Sequence, residues 1–357
     1  MDLVAASPTV KSSTMVDPSG PASLAQVLSE VEQQVGNGVV ERLRPLPTGF
    51  SPLDEVLNGG VRPGELLIVG GPFGVGKTIL GLQMARNVVC HDPSARALYI
   101  CYEHDRSHLL SRLLCLESAE RSYKEEALTL KRLNDMVLEA TANGHPAAGG
   151  GLVSRLRRIP RYAAVVDAVR SYADRLVLSK ASGDYSTLKQ IRSWVQEAAA
   201  EGSGRLLVVV DYLQKIPVNR EGPISETEVT TYLTQGLKEM AMSLGVVVLA
   251  IAAADRQGLK GKRMRLSDLR GSSALQYEAD IGLVLNNKFA ILSREHMVYN
   301  LSQAEAMRNW LVMTVEKNRA GRNAVDMEYA LDAAHFRLVP HGGFVHERLI
   351  DEKVILE

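Results

Sequence analysis

Residues Gly71-Pro72-Phe73-Gly74-Val75-Gly76-Lys77-Thr78 have the spacing G-x-x-x-x-G-K-T, which suits the holding of a polyphosphate. The stretch lies between an apolar run, Leu66–Val69, and a helical run from Ile79 to Ala85. In that setting glycines let the backbone curl so that successive N–H groups point inward, and the N-terminus of the following helix adds partial positive charge. Lys77 then reaches the β- and γ-phosphates, and the Thr78 hydroxyl completes a Mg²⁺ shell that keeps its waters. Gly71, Gly74, Val75, Gly76, Lys77, Thr78 and Ile79 are therefore the expected contacts to ATP. The alternative, a glycine-rich strand-to-helix turn with an incidental lysine, fits the flanks less well.

Two carboxylates stand where a nucleotide site needs them. Arg205 to Asp211 is an apolar strand ending in an acid; Asp211 either holds Mg²⁺, directly or through water, or is a turn or capping residue. A further strand, Ala97 to Tyr102, ends at Glu103-His104-Asp105. Glu103 is the candidate for polarising an attacking water, and its alternative is an N-cap or a solvated loop charge. His104 and His108 lack a third ligand at fitting spacing and read as polar surface.

These groups must be positioned by an α/β scaffold. β-branched apolar runs alternate with helical segments, the pattern of a largely parallel sheet covered on both faces. The predicted strands are Leu66–Val69, Leu98–Tyr102, Leu176–Leu178, Leu206–Val210, Val246–Ile251, Ile281–Leu285 and Leu311–Val315. Ahead of them, residues 1–22 are Ser-, Pro- and Ala-rich and predict a disordered tail. Leu24, Val27, Leu28, Val31 and Val35 recur at helical spacing, so residues 23–45 predict a short amphipathic helix and a linker. Residues 46–345 make the main domain and 346–357 a C-terminal tail, with a surface loop over Thr141 to Gly151.

Hydrophobic residues make up 46% of the 357, enough for a sizeable core, and Lys plus Arg equals Asp plus Glu at 41 each. Bulk charge therefore points to neither a nonspecific nucleic-acid coat nor a membrane surface. Cys90, Cys101 and Cys115 show no metal-ligand spacing and suit a reducing compartment, read as the cytoplasm. No signal-peptide or bilayer-spanning run is present in the sequence.

In order along the chain, Thr48-Gly49-Phe50-Ser51-Pro52-Leu53-Asp54, the phosphate loop, Tyr102-Glu103, Asp211-Tyr212-Leu213-Gln214, Ser267-Asp268-Leu269-Arg270, Ala279-Asp280 and Lys317-Asn318-Arg319-Ala320-Gly321 resemble the motifs of DnaB-type replicative hexameric helicases, C-terminal motor domain. The resemblance implies a RecA-like P-loop NTPase fold with a largely parallel central sheet flanked by helices. It implies that Glu103 is the catalytic glutamate, that Asp211 is the metal-binding aspartate, and that Lys317 and Arg319 project into a neighbouring subunit's nucleotide. The expected state is then a ring homo-oligomer, a hexamer, in which the short N-terminal helix docks on the next subunit. Two departures stand out. The family's N-terminal helical domain, which engages primase, has no counterpart in the residues before the helix, so primase recruitment is not expected. Ala252-Ala253-Ala254-Asp255-Arg256 occupies the place of a motif whose glutamine senses the γ-phosphate, and Ala253 lacks that hydrogen bond.

The run Lys260-Gly261-Lys262-Arg263-Met264-Arg265 is locally basic; stacked in a ring it would line a pore with positive charge, so Lys260, Lys262 and Arg263 are the candidate contacts to single-stranded DNA. The alternative is a solvated loop, since the run lacks stacking aromatics. Two functions remain open on these residues: a helicase-like motor ATPase acting on single-stranded DNA, or a non-helicase RecA-like ATPase switch acting on a protein partner.

Overall fold

The computed structural model describes residues 20–37, 44–121, 125–142, 151–201, 205–219, 225–255, 259, 263–292 and 305–350. The chain divides into an N-terminal unit, residues 1–40, and a main unit, residues 41–357. The first contains the expected amphipathic helix, Leu24–Gly36. Its start is set by Ser23, whose Oγ accepts from the Gln26 N–H while the Gln26 side chain accepts from the Ser23 N–H, a reciprocal cap that satisfies two otherwise unpaired donors. No residue of this helix is buried.

In the main unit the strands are β1 Leu66–Gly70, β2 Arg96–Cys101, β3 Leu176–Lys180, β4 Leu206–Asp211, β5 Val247–Ile251, β6 Ile281–Asn287, β7 Trp310–Asn318, β8 Val325–Asp332, β9 Arg337–Leu338 and β10 Gly343–Phe344. They form one sheet in the order β10-β8-β7-β6-β1-β5-β4-β2-β3, with β9 paired to β8 beside this path. From β6 to β3 every pairing is parallel, whereas β7, β8 and β10 add an antiparallel edge.

The parallel strands are apolar along their length because helices cover both faces. On β1, Leu67 and Val69 pack with Leu80, Met84 and Val88 of the helix Lys77–His91. Leu66 and Ile68 point the other way, to Ile191 and Val195 of Leu188–Ala200 and Leu233 and Leu237 of Glu226–Leu244. A separate core, with Leu114, Leu128, Leu156 and Tyr162, joins the helices between β2 and β3.

All seven strands expected from apolar runs are present, with ends shifted by a residue or a few. β8 was not among them. Its sequence, VDMEYALD, buries Val325, Met327 and Tyr329 while Asp326 and Glu328 lie on the other, half-covered face, so it alternates instead of forming an apolar block. The expected tail boundary at 346 is also too early. Lys288 Nζ donates to Glu347 Oε1 at 2.7 Å, Leu349 bridges Leu292, and the Ile350 N–H donates to the Ile291 carbonyl at 2.8 Å. These ties extend the folded chain to the last described residue. Of the expected loop, Thr141 and Ala142 end the helix Leu130–Ala142 and Gly151 caps Leu152–Arg158; residues 143–150 lie outside the described residues, as do residues 1–19 of the expected tail.

Candidate functional site

The register of the parallel strands sets Val69, Ile251, Asp211 and Cys101 side by side across the sheet. The segments that follow them, the phosphate loop, Ala252–Asp255, Tyr212 and Tyr102–Glu103, therefore emerge at one carboxyl edge, where open α/β sheets bind ligands. There they enclose a cavity of about 960 Å³ lined by Gly74, Gly76, Lys77, Thr78, Ile79, Glu103 and Asp211 among others, room for a nucleoside triphosphate.

The loop conformation depends on its glycines. Gly74 and Gly76 have φ of 73° and 105°, left-handed backbone that side chains with a Cβ avoid. Gly71, at φ 149°, passes so close to β6 that a Cβ would lie 2.6 Å from the Leu285 carbonyl oxygen. Val75 is buried beneath the loop. Gly76 is the N-cap of Lys77–His91, so that helix points its N-terminal amides into the cavity. Lys77 Nζ donates to the carbonyls of Gly71 and Pro72, both at 2.8 Å. Burial pulls its ammonium down to about 8, against the opposing pull of Asp211 and Glu103.

Asp211 is buried at the floor of the cavity. Burial pushes its carboxyl above the usual range, opposed by hydrogen bonds from the Tyr99 and Thr78 hydroxyls, the first at 2.7 Å. A buried carboxylate beside a hydroxyl is the donor set of a divalent cation, whose charge would offset that desolvation. Glu103 stands on the cavity wall. The capping role that competed for it falls to Asp105, whose Oδ1 accepts from the His108 N–H at 2.8 Å. His104 and His108 stack at 4.6 Å, and His104 Nε2 meets Arg112 Nη2 at 3.0 Å.

Arg112, which sequence reasoning missed, reaches the same cavity from the helix Arg106–Arg121. Its guanidinium lies over the Phe336 ring at 5.0 Å. Helical spacing could place Arg112 near Glu103, but Phe336 arrives from beyond β8, and no local signal joins the two.

Lys317 and Arg319 are elsewhere. Because β7 runs antiparallel to β6, Lys317 pairs with Gly282, and the Arg319 N–H donates to the carbonyl of Asp280, whose own N–H donates to Leu66 at the start of β1. Arg319 is thus at the edge of the sheet opposite the phosphate loop, roughly 13 Å back along the strands and roughly 10 Å across them at about 3.3 Å per residue and about 4.8 Å per strand. Neither residue lines the cavity.

The candidate nucleic-acid residues divide. Lys260 and Lys262 lie outside the described residues. Arg263, expected on a surface loop, is instead buried, with Nη2 donating to Thr314 Oγ1 of β7 at 3.2 Å and pairing with Asp326 of β8. A guanidinium buried and paired across two strands in this way does not suit a phosphate contact. At Ala253 the side chain cannot bond, but its N–H donates to Gln214 Oε1 at 3.0 Å, and Gln214 Nε2 donates to the Arg270 carbonyl at 3.3 Å. The Arg270 N–H in turn donates to the Ala253 carbonyl at 3.0 Å.

A glycine loop on the central strand, an acid at the end of the strand two places away and a parallel sheet with an antiparallel extension define a RecA-like P-loop ATPase domain. The profile of the DnaB-like helicase C-terminal domain matches residues 45–145 and 155–337. The chain belongs to that family. It is 27% identical over 301 residues to the replicative DNA helicase DnaB of Mycoplasma genitalium, covering 82% of this chain and 56% of the relative. The chain spans about half the length of the curated relatives it matches. Among solved structures, an isolated ATPase domain superposes with a TM-score of 0.67 at 20% identity, covering 90% of this chain and 99% of that one. A DnaB-like replicative helicase studied for its interactions with primase gives 0.65 at 20% identity, covering 90% of this chain and 67% of that one. At that identity both speak to the fold alone.

Proposed function

We propose that the protein is the ATP-hydrolysing motor of a DnaB-like helicase that assembles as a ring homo-oligomer, a hexamer, and acts on single-stranded DNA. The observation that carries this reading is the division of the charged groups between two edges of the sheet. Lys77, Thr78, Asp211 and Glu103 surround one cavity, whereas Lys317 and Arg319 sit at the opposite edge. A complete site then needs a second copy of the chain to bring its Arg319 to the γ-phosphate.

In this reading Lys77 neutralises the β- and γ-phosphates, and Thr78 and Asp211 hold Mg²⁺, which supplies further charge neutralisation. Glu103 orients a water and takes its proton as the water oxygen bonds to the γ-phosphorus and the bond to the β-γ bridging oxygen breaks, releasing ADP. Arg319 of the adjoining subunit binds γ-phosphate oxygens as charge moves to the leaving group. A cytoplasmic location belongs to the same reading, with Cys90, Cys101 and Cys115 all free.

Ala253 is one ground for the reading as a protein-directed switch. The bonds among Ala253, Gln214 and Arg270 leave the cavity wall joined to the segment that runs back to the basic loop, which favours the DNA motor. The test is the ATPase rate with and without single-stranded DNA at low salt. Stimulation is expected; an unchanged rate would reject the DNA motor in favour of the switch.

A further inference from the structure

We propose that Asp280 is a positioning residue that presents Arg319 to the neighbouring subunit's nucleotide, an inference that rests on Arg319 acting between subunits. Asp280 precedes β6 and is buried, 6% exposed. Its Oδ2 accepts from the Leu66 N–H at 2.7 Å and from Lys238 Nζ at 2.6 Å. Those bonds fasten the carboxylate to the start of the central strand and to the long helix Glu226–Leu244. The other oxygen, Oδ1, accepts from Arg319 Nη1 at 3.1 Å. Arg319 Nη2 donates to the Tyr277 carbonyl at 2.6 Å, and its backbone N–H donates to the Asp280 carbonyl at 2.9 Å.

A turn arginine is thereby held at its backbone and through both terminal nitrogens of its fork, while half of its side chain stays exposed. The remaining N–H groups of the fork are left for a phosphate. Such prior orientation matters because a group that must first be ordered loses much of what it could contribute to a transition state. The carboxylate also relieves a local conflict. Lys317 Nζ donates to the carbonyls of Gln276 and Tyr277, and its ammonium is lowered by burial and by the adjacent Arg319, with Asp280 opposing that shift. Two cations aimed at one anion can stand together because this acid lies behind them.

The experiment uses full-length Asp280→Asn, Arg319→Ala and Lys77→Ala, each checked for assembly by light scattering. Asn keeps an acceptor for Leu66 but loses the charge that holds Arg319. Asp280→Asn should lower kcat about tenfold or more with KM for ATP within about threefold of wild type. Mixed with Lys77→Ala it should regain activity, since each supplies what the other lacks. Mixed with Arg319→Ala it should regain none, since neither presents a working finger. Wild-type turnover, rescue by both partners alike, or no rescue by Lys77→Ala would each overturn the proposal. If Asp280→Asn does not assemble, Asp280→Glu takes its place: it keeps the charge but moves it by a methylene, and the same one-sided rescue is required. The mixture of Lys77→Ala with Arg319→Ala isolates the underlying reading. If that pair stays inactive, it is the action of Arg319 between subunits that falls.

Discussion

Lys77 and Asp211 both lose hydration at the cavity floor, and both are pushed toward neutrality. For Lys77 this has a measurable consequence. The ammonium that phosphate binds is lost as pH rises through about 8, so ATP affinity should weaken above that pH, approaching roughly tenfold per pH unit. For folding the sign is opposite: the unfolded chain holds this proton at the ordinary lysine value of 10.5, so burial of the cation costs stability below about 8 and the cost fades as pH rises between the two values. Titration calorimetry across this range, with Lys77→Ala as the reference, tests the first point, and a flat profile would reject it. Glu103→Gln should behave differently, retaining ATP binding while losing most turnover, because only the proton acceptor is altered. Equal losses in binding and turnover would make Glu103 structural. Lys77 was legible from the glycine spacing, and Asp211 and Glu103 because each ends or closely follows an apolar strand, whereas Arg112 was not, because its partner Phe336 is close only in the fold.

Among the elements, the N-terminal helix and the β7–β8 pair lead to separate expectations. Leu24 and Leu28 are 76% and 63% exposed, with Val27, Val31 and Val35 on the same stripe also exposed. An apolar stripe of this kind calls for a partner surface, and the proposed partner is the adjoining subunit. Deleting residues 1–36 should therefore yield smaller species by light scattering; an unchanged size would mean the helix does not hold the ring. Arg263 links β7 to β8 through Thr314 and Asp326. Arg263→Ala should cost roughly 1.5–3 kcal/mol of stability, the range for losing a hydrogen bond to a charged group. A thermal melt indistinguishable from wild type would contradict that role.

For the whole molecule, the balance of 41 basic and 41 acidic residues leaves DNA binding to local charge presented repeatedly around a ring. Lys260→Ala with Lys262→Ala should abolish stimulation of ATPase by single-stranded DNA and flatten its salt dependence, while basal turnover stays near wild type. Retained stimulation would move the DNA contact to another surface. Because Arg263 is packed between strands, its replacement belongs with the stability measurements above.

The sequence by itself determined the phosphate loop, the two acids and the parallel strands, because these depend on contiguous residues: a glycine spacing, a helix start, and runs apolar enough to be covered on both faces. It also carried the family resemblance that joined Lys317 and Arg319 to them. Tertiary structure decided what depends on residues far apart in the chain. The antiparallel turn of β7 places Arg319 at the edge opposite Lys77, burial between β7 and β8 withdraws Arg263 from solvent, and Asp280 receives Leu66, Lys238 and Arg319 from three separate segments. Local pattern reports which residue types are near one another along the backbone, but the direction and partner of a charged side chain are set by which strands pair and in what register.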